Sequence, residues 1–133
     1  MINKVFIMAR TTREPIVRYT PNGTAIADLS VAYNRNFKDK DGNWQEEPSF
    51  FEVNCFGELA ERVVSKINKG DLILIEGRLQ QESWETKENE KRYKVKIIAE
   101  KIKLIAKPKQ TQEEQPKENE EIIPPEEDDD IVF

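Results

Sequence analysis

Residues 50–70 read FFEVNCFGELAERVVSKINKG, and within them the spacing of apolar side chains changes from every second residue to every fourth. Alternation over residues 50–56 predicts a β-strand, because successive side chains of a strand point to opposite faces. The core face is predicted to carry Phe51, Val53 and Cys55. The opposite, wet face carries Phe50, Glu52, Asn54 and Phe56. The recurrence of Leu59, Val63 and Ile67 predicts a helix over residues 58–69, with Gly70 as its C-terminal cap.

Strands are predicted on both sides of this segment. Upstream, residues 5–8 form an apolar run, residues 25–34 alternate, and residues 39–43 (DKDGN) mark a hairpin tip. Downstream, residues 72–81 and 93–104 are two further strands, joined by a polar segment over residues 84–92. The order of elements predicts an all-β fold, a five-stranded OB-fold (oligonucleotide/oligosaccharide-binding) barrel with one short helix between strands 3 and 4.

Charge divides the chain into two parts. Residues 107–133 contain three Lys and ten Asp or Glu, a net charge of −7, whereas residues 1–106 have a net charge of +2. The tail therefore masks a mildly basic body that is compatible with a polyanionic ligand. With so few apolar side chains the tail is predicted to be disordered. We expect an OB-fold domain over residues 1–106 and a disordered linker over 107–133 that ends in an acidic tip at 128–133.

The acidic tip at residues 128–133 has two possible interpretations. It consists of Asp128, Asp129, Asp130, Ile131, Val132 and Phe133. It is either a solvated acidic end or a docking peptide, with Phe133 in a partner's apolar pocket and the acids against Lys and Arg.

Several kinds of chemistry have no residues to support them. The chain has no His and a single Cys55, which removes the commonest general base and a thiolate zinc site. No glycine-rich phosphate loop occurs, and residues 39–42 lack the full spacing of a calcium loop. The sequence therefore favours a binding protein over an enzyme and predicts no metal and no cofactor.

The expected compartment is reducing. One cysteine cannot form an internal disulfide, and the apolar run over residues 5–9 is too short for a signal peptide or a membrane span. We expect a cytoplasmic protein with no membrane association.

Aromatic rings in polar surroundings are the positive signal for function. The candidate base-stacking residues are Phe37, Phe50, Phe56 and Trp84. The candidate phosphate contacts on nearby strands and loops are Arg10, Arg35, Lys38, Arg78, Arg92, Lys94 and Lys96. Rings interleaved with cations suit single-stranded nucleic acid, because every base has a face that can stack. For any single ring, packing under a loop or at a subunit interface is an equally good reading.

With these residues in view, the chain resembles the bacterial single-stranded DNA-binding protein family. The matching segments are NKV (3–5), VRYTPNG (17–23), FGELAE (56–61), KGD (69–71), IEGRL (75–79) and the acidic tip. The resemblance covers residues 1–106 in order. It implies a homotetramer that wraps single-stranded DNA, with the family's stacking positions falling on the four rings above. It also implies a nucleoid-associated protein whose tip recruits replication, recombination and repair proteins.

Two positions depart from the family pattern. ARTT at residues 9–12 stands where members usually have Gly, a polar residue and Leu, in a region that often contributes to subunit contacts. Val132 stands where the family usually has Pro before the terminal Phe, so docking loses a preset φ angle.

Two rival functions remain open. The first is an RNA-binding relative, or one specialised for primosome assembly or recombination. The second is an adaptor whose barrel only scaffolds protein contacts, which gives no role to stacking aromatics and cations.

Overall fold

The computed structural model describes residues 1–108 as six strands and one helix. The strands are β1 (Val5–Thr11), β2 (Ile16–Tyr19), β3 (Ala25–Lys38), β4 (Trp44–Phe56), β5 (Leu72–Glu85) and β6 (Lys91–Ala106). The helix, α1 (Gly57–Lys66), lies between β4 and β5. The acidic tip and most of the predicted linker lie outside the described residues.

Strand pairing closes the sheet into a barrel. β1 and β2 both pair with β3, β3 pairs with β4, β4 with β6, β6 with β5, and β5 returns to β1. All these pairings are antiparallel except the short parallel contact between β4 and β6. Both β1 and β2 pair with β3, one after the other along its length, so they are two segments of one bent barrel strand. The predicted five-stranded OB-fold is therefore confirmed, with the helix between its third and fourth strands.

The core follows the predicted alternation. Ala27, Leu29 and Val31 of β3 face Val53 and Cys55 of β4, and all are buried. From the other strands and the helix, the core receives Ile73, Ile75, Ile97, Ala60 and Val63. Period-two sequence patterns fix which face of a strand points inward, because a shift of one residue would expose the whole apolar set.

Two residues of β4 do not have the predicted burial. Asn54, expected on a wet face, is 2% exposed, and its amide donates to Asp28 Oδ1 at 2.5 Å. Phe51, expected in the core, is 39% exposed. Alternation identifies the face of a residue correctly here, but it does not tell whether neighbouring side chains cover that face.

The helix ends earlier than predicted, at Lys66 rather than residue 69. Asp71 stops it, because its carboxylate accepts a hydrogen bond from the Asn68 N–H at 2.8 Å and holds residues 68–71 in a turn. The Gly70 N–H then bonds to the carbonyl of Thr11 on β1 at 3.0 Å. Gly70, with φ of +88°, serves this turn and does not directly follow the helix.

Both long hairpins extend further than predicted. The tip at residues 39–43 is confirmed, and Asp39 Oδ1 accepts from the N–H groups of Asp41 and Asn43. The expectation that residues 84–92 form a connecting segment is wrong, because Trp84 pairs with Arg92 and the turn spans only residues 86–90. Backbone hydrogen bonds sustain such a ribbon without an apolar side, so its polar composition resembles that of a loop.

Candidate nucleic-acid interface

Strand register places three of the predicted rings on one outer surface of the barrel. Phe50 and Phe56 share the outward side of β4 with Asn54, which lies beside Ile98 of β6. Ile98 and Arg92 share a side of β6, and Arg92 pairs with Trp84 of β5. We call this surface the aromatic face. Its rings are Phe50, Phe56 and Trp84, and its cations are Arg78, Arg92, Lys94 and Lys96.

The rings of the aromatic face are open to a ligand. Phe50 is 67% exposed, Phe56 45% and Trp84 47%. Each is fixed at its backbone by strand pairing, to Ala32, Ile26 and Arg92 respectively. Rigid strands therefore present flat apolar rings to solvent, an arrangement that suits stacking of unpaired bases.

Phe37 does not share this face. It pairs with Gln45, and the unbroken register of β3 with β4 puts it on the opposite side of the ribbon from Phe50. The guanidinium of Arg35 lies 4.5 Å from the centroid of the Phe37 ring and also pairs with Glu47 at 3.2 Å. Phe37 and Arg35 thus form a separate cation–π pair.

Trp44 was not among the predicted site residues, yet the structure places it on the side of Phe50. It is 67% exposed, and it pairs with Lys38, whose Nζ lies 5.4 Å from the ring centroid. The signal was available in the sequence. A hairpin with its tip at residues 39–43 brings residues 38 and 44 opposite each other, so the register alone could have identified the ring.

Most of the predicted phosphate-binding cations already have a partner. Lys94 pairs with Glu52 at 2.5 Å, Lys96 with Glu82 at 2.5 Å, Arg92 with Glu90 at 2.9 Å and Arg78 with Glu100 at 3.5 Å. Arg10 lies on β1, which pairs with neither β4 nor β6, and donates to the carbonyl of Gly70 at 2.9 Å. The structure therefore brings four of the seven cations to the aromatic face, with Lys38 beside Trp44.

Acidic residues of this face were missed by sequence reasoning. Arg18 pairs with Asp28 at 3.2 Å, and Asp28 in turn accepts from Asn54. The hydrogen bond from Lys96 lowers the pKa of Glu82, and the hydrogen bond to Glu52 raises the pKa of Lys94. No sequence signal points to these pairs, because they join residues on different strands whose neighbourhood only the barrel creates.

Within residues 1–108 we find no group of His, Cys, Asp and Glu side chains arranged to hold a metal ion. In the same part of the chain, the one helix is neither long nor apolar enough to cross a membrane.

The sequence profile of the single-strand binding protein family matches residues 2–105. The chain belongs to this family. Its relatives include the single-stranded DNA-binding protein of Aquifex aeolicus, 48% identical over 119 residues, which cover 86% of this chain and 80% of that protein. The single-stranded DNA-binding protein of Wolinella succinogenes is 42% identical over 105 residues, 79% of this chain and 65% of that protein.

A solved structure has the same barrel. The wild-type single-stranded DNA binding protein from Thermus aquaticus superposes with a TM-score of 0.68 at 38% identity. The match covers 78% of this chain and 50% of that one, so it spans half the length of the Thermus chain.

Proposed function

We propose that this protein binds and protects single-stranded DNA without strong sequence preference and has no catalytic activity of its own. The observation that carries the proposal is the aromatic face, where three exposed rings stand on rigid strands among cations. Membership of the single-strand binding protein family supports it. Bases stack on Phe50, Phe56 and Trp84 while phosphates approach the cations, so we expect the affinity to fall with salt.

Alanine substitution tests the stacking. Replacing Phe50 or Phe56 by Ala removes one ring, so each variant loses about 1–3 kcal/mol of binding free energy for oligo-dT. Quenching of Trp84 and Trp44 fluorescence reports the binding. Tyr93→Ala is the matched control, because Tyr93 is exposed on the same β5–β6 ribbon but pairs with Ser83 on the opposite side. Equal losses in all three variants would contradict the proposal.

The same titration separates the rival functions. Equal affinity for oligo-rU and oligo-dT would favour an RNA-binding relative. No fluorescence change with oligo-dT would favour an adaptor whose barrel only holds proteins together. A protein specialised for primosome assembly or recombination would bind oligo-dT as we propose for this protein and would differ in the proteins that it recruits.

Partner recruitment is the second part of the proposed function. The tip, residues 128–133, joins three carboxylates to an apolar end and suits a basic, apolar pocket on replication, recombination or repair proteins. We place this activity in the cytoplasm, at the nucleoid. The aromatic face and the tip then act on different ligands, DNA and protein.

We also propose a homotetramer. An apolar patch supports it on the outer side of β1 and β5, where Phe6, Met8 and Leu74 are neighbours and Phe6 is 66% exposed. The patch borders a groove of about 600 Å³ that continues to Leu59 and Ile102. Exposed apolar surface of this kind is stabilised when a second copy covers it.

The unusual residues 9–12 have a role within the subunit. The Thr11 hydroxyl donates to the carbonyl of Asn68 at 2.6 Å and accepts from the Asp71 N–H at 3.2 Å. Thr11 therefore holds the turn after the helix, and the apolar patch lies just before residues 9–12, at Phe6 and Met8. Light scattering of Phe6→Glu against the unmodified protein tests the tetramer. An unchanged mass would show that the patch is not an interface.

A further inference from the structure

The centre of the aromatic face is balanced in charge. Three cations, Arg18, Lys94 and Lys96, each form an ion pair with one carboxylate, from Asp28, Glu52 and Glu82 respectively. Each ion pair joins two different strands: Arg18–Asp28 connects β2 to β3, Lys94–Glu52 connects β6 to β4, and Lys96–Glu82 connects β6 to β5. A surface built only to attract phosphate would leave such cations unpaired.

Both lysine pairs join neighbouring strands at short distances between Nζ and a carboxylate oxygen. The Lys96 side chain is 10% exposed, and its Nζ lies 2.5 Å from Glu82. Lys94 reaches from β6 to Glu52 across the short parallel junction, where only two residues of each strand are in register. The hydrogen bond from Lys96 lowers the pKa of Glu82, and the hydrogen bond to Glu52 raises the pKa of Lys94, so each contact favours the charged form of that group.

A phosphate that approaches either lysine has to compete with a carboxylate already in place. The phosphate gains only the difference in free energy between its own contact with the lysine and the carboxylate's contact. The displaced carboxylate remains nearby and repels the DNA strand. Paired lysines therefore contribute less to the release of counterions than unpaired ones. The carboxylates weaken the phosphate part of binding but leave base stacking on Phe50, Phe56 and Trp84 unchanged.

The binding of single-stranded and of double-stranded DNA depends differently on base stacking and on phosphate contacts. Unpaired bases can stack on the rings, whereas the bases of a duplex are already paired and stacked, so a duplex meets this face mainly through its phosphates. We propose that Glu52 and Glu82 are specificity-determining residues, which select against double-stranded DNA by neutralising Lys94 and Lys96. Discrimination by weakening the unwanted complex is a general route to specificity.

This inference rests on the proposed function, and amide variants of the full chain test it. Glu52→Gln and Glu82→Gln each free one lysine and keep the side-chain size. We expect affinity for a blunt-ended duplex to rise by about fivefold or more and its salt dependence to steepen by about one ion per variant. Affinity for oligo-dT of the same total length rises less, so the ratio of single-strand to duplex affinity falls.

Glu47→Gln is the matched control. It removes the same charge from an exposed ion pair, with Arg35, on the side of the β3–β4 ribbon opposite to Phe50. We expect it to raise the affinity for both ligands slightly and equally. Thermal unfolding of each variant checks that the barrel is intact.

Two results would overturn the inference. The first is an equal rise in affinity for the duplex and for the single strand, as expected for the control Glu47→Gln. The second is a loss of affinity for both, which would mean that the carboxylates only hold the lysines in position. Either result would leave the proposed function standing if Phe50→Ala and Phe56→Ala still weaken oligo-dT binding, so the two failures can be told apart.

Discussion

Gly77 lies on β5 next to an irregularity in the register of that strand with β6. A Cβ at this position would overlap the backbone carbonyl of Ile98, which cannot move without breaking the pairing. We therefore expect Gly77→Ala to lower the free energy of unfolding by about 1–3 kcal/mol, measured by urea denaturation. Gly42→Ala is the comparison variant, because it meets backbone strain at φ of +84° without any steric overlap, whereas Gly77→Ala meets the overlap without a positive φ. A smaller loss at Gly77 than at Gly42 would contradict this explanation.

Cys55 gives a pH dependence at the residue scale. Burial, with a smaller effect of Asp28, raises the pKa of its thiol from 9.0 to about 12. Between these values the unfolded chain loses a proton that the folded protein keeps, so stability is full below pH 9 and falls as the pH rises toward 12. We expect Cys55→Ala to unfold with a weaker pH dependence over this range. Parallel curves for the two proteins would show that the thiol does not contribute.

The rings on β4 could be predicted from the sequence, but the polar contacts beside them could not. Phe50 and Phe56 stand out because strand alternation separates them from the core residues. The pairing of Lys94 with Glu52 depends instead on barrel closure, which brings together residues distant in sequence. Asn54 is a similar case, since its amide is buried and donates to Asp28 on the neighbouring strand.

At the scale of elements, the turn between α1 and β5 depends on a buried carboxylate. Asp71 is fully buried, and within residues 1–108 its Oδ1 has no hydrogen-bond partner. Its Oδ2 accepts from Lys107 Nζ at 2.9 Å, and the same Nζ contacts Asn68 Oδ1 at 3.2 Å. Lys107 therefore ties the end of β6 to the turn.

Removing the lysine would leave a buried charge without its counter-ion. We expect Lys107→Met to lower the free energy of unfolding by about 1–3 kcal/mol in urea, because an unpaired buried charge is costly. Lys66→Met is the control, since the substitution keeps the Lys66 carbonyl that faces Lys107. In an Asp71→Asn background the effect of Lys107→Met should shrink. A constant effect in both backgrounds would show that the ion pair is not its cause.

The elements themselves could be predicted where apolar periodicity is strong. The helix and the inner strands follow from spacing, whereas the helix end and the length of the ribbons depend on tertiary contacts. Asp71 ends α1 because β1 lies beside it, through Thr11. The β5–β6 ribbon continues through Trp84 because the two backbones pair, which a polar sequence does not reveal.

For the whole molecule, charge links the body to the tail. Residues 107–133 have a net charge of −7 and residues 1–106 a net charge of +2. We expect this acidic segment to compete with DNA for the cations, because its tether to the barrel gives it a high effective concentration there. Because many of those cations already pair with carboxylates, we expect the competition to act through long-range repulsion of the DNA strand as well as through direct contact.

Deletion of residues 123–133 tests this competition. We expect affinity for oligo-dT to stay equal or increase, and the increase to vanish at high salt, because the Debye length falls to about 3 Å at 1 M. Capture of replication or repair proteins should be lost. A full-length variant in which Glu126, Glu127, Asp128, Asp129 and Asp130 are changed to their amides removes the same five carboxylates and keeps the length, so it should match the deletion in DNA affinity. Weaker DNA binding by the shortened protein would show instead that the tail assists the barrel, and a salt-independent gain would assign the effect to steric hindrance.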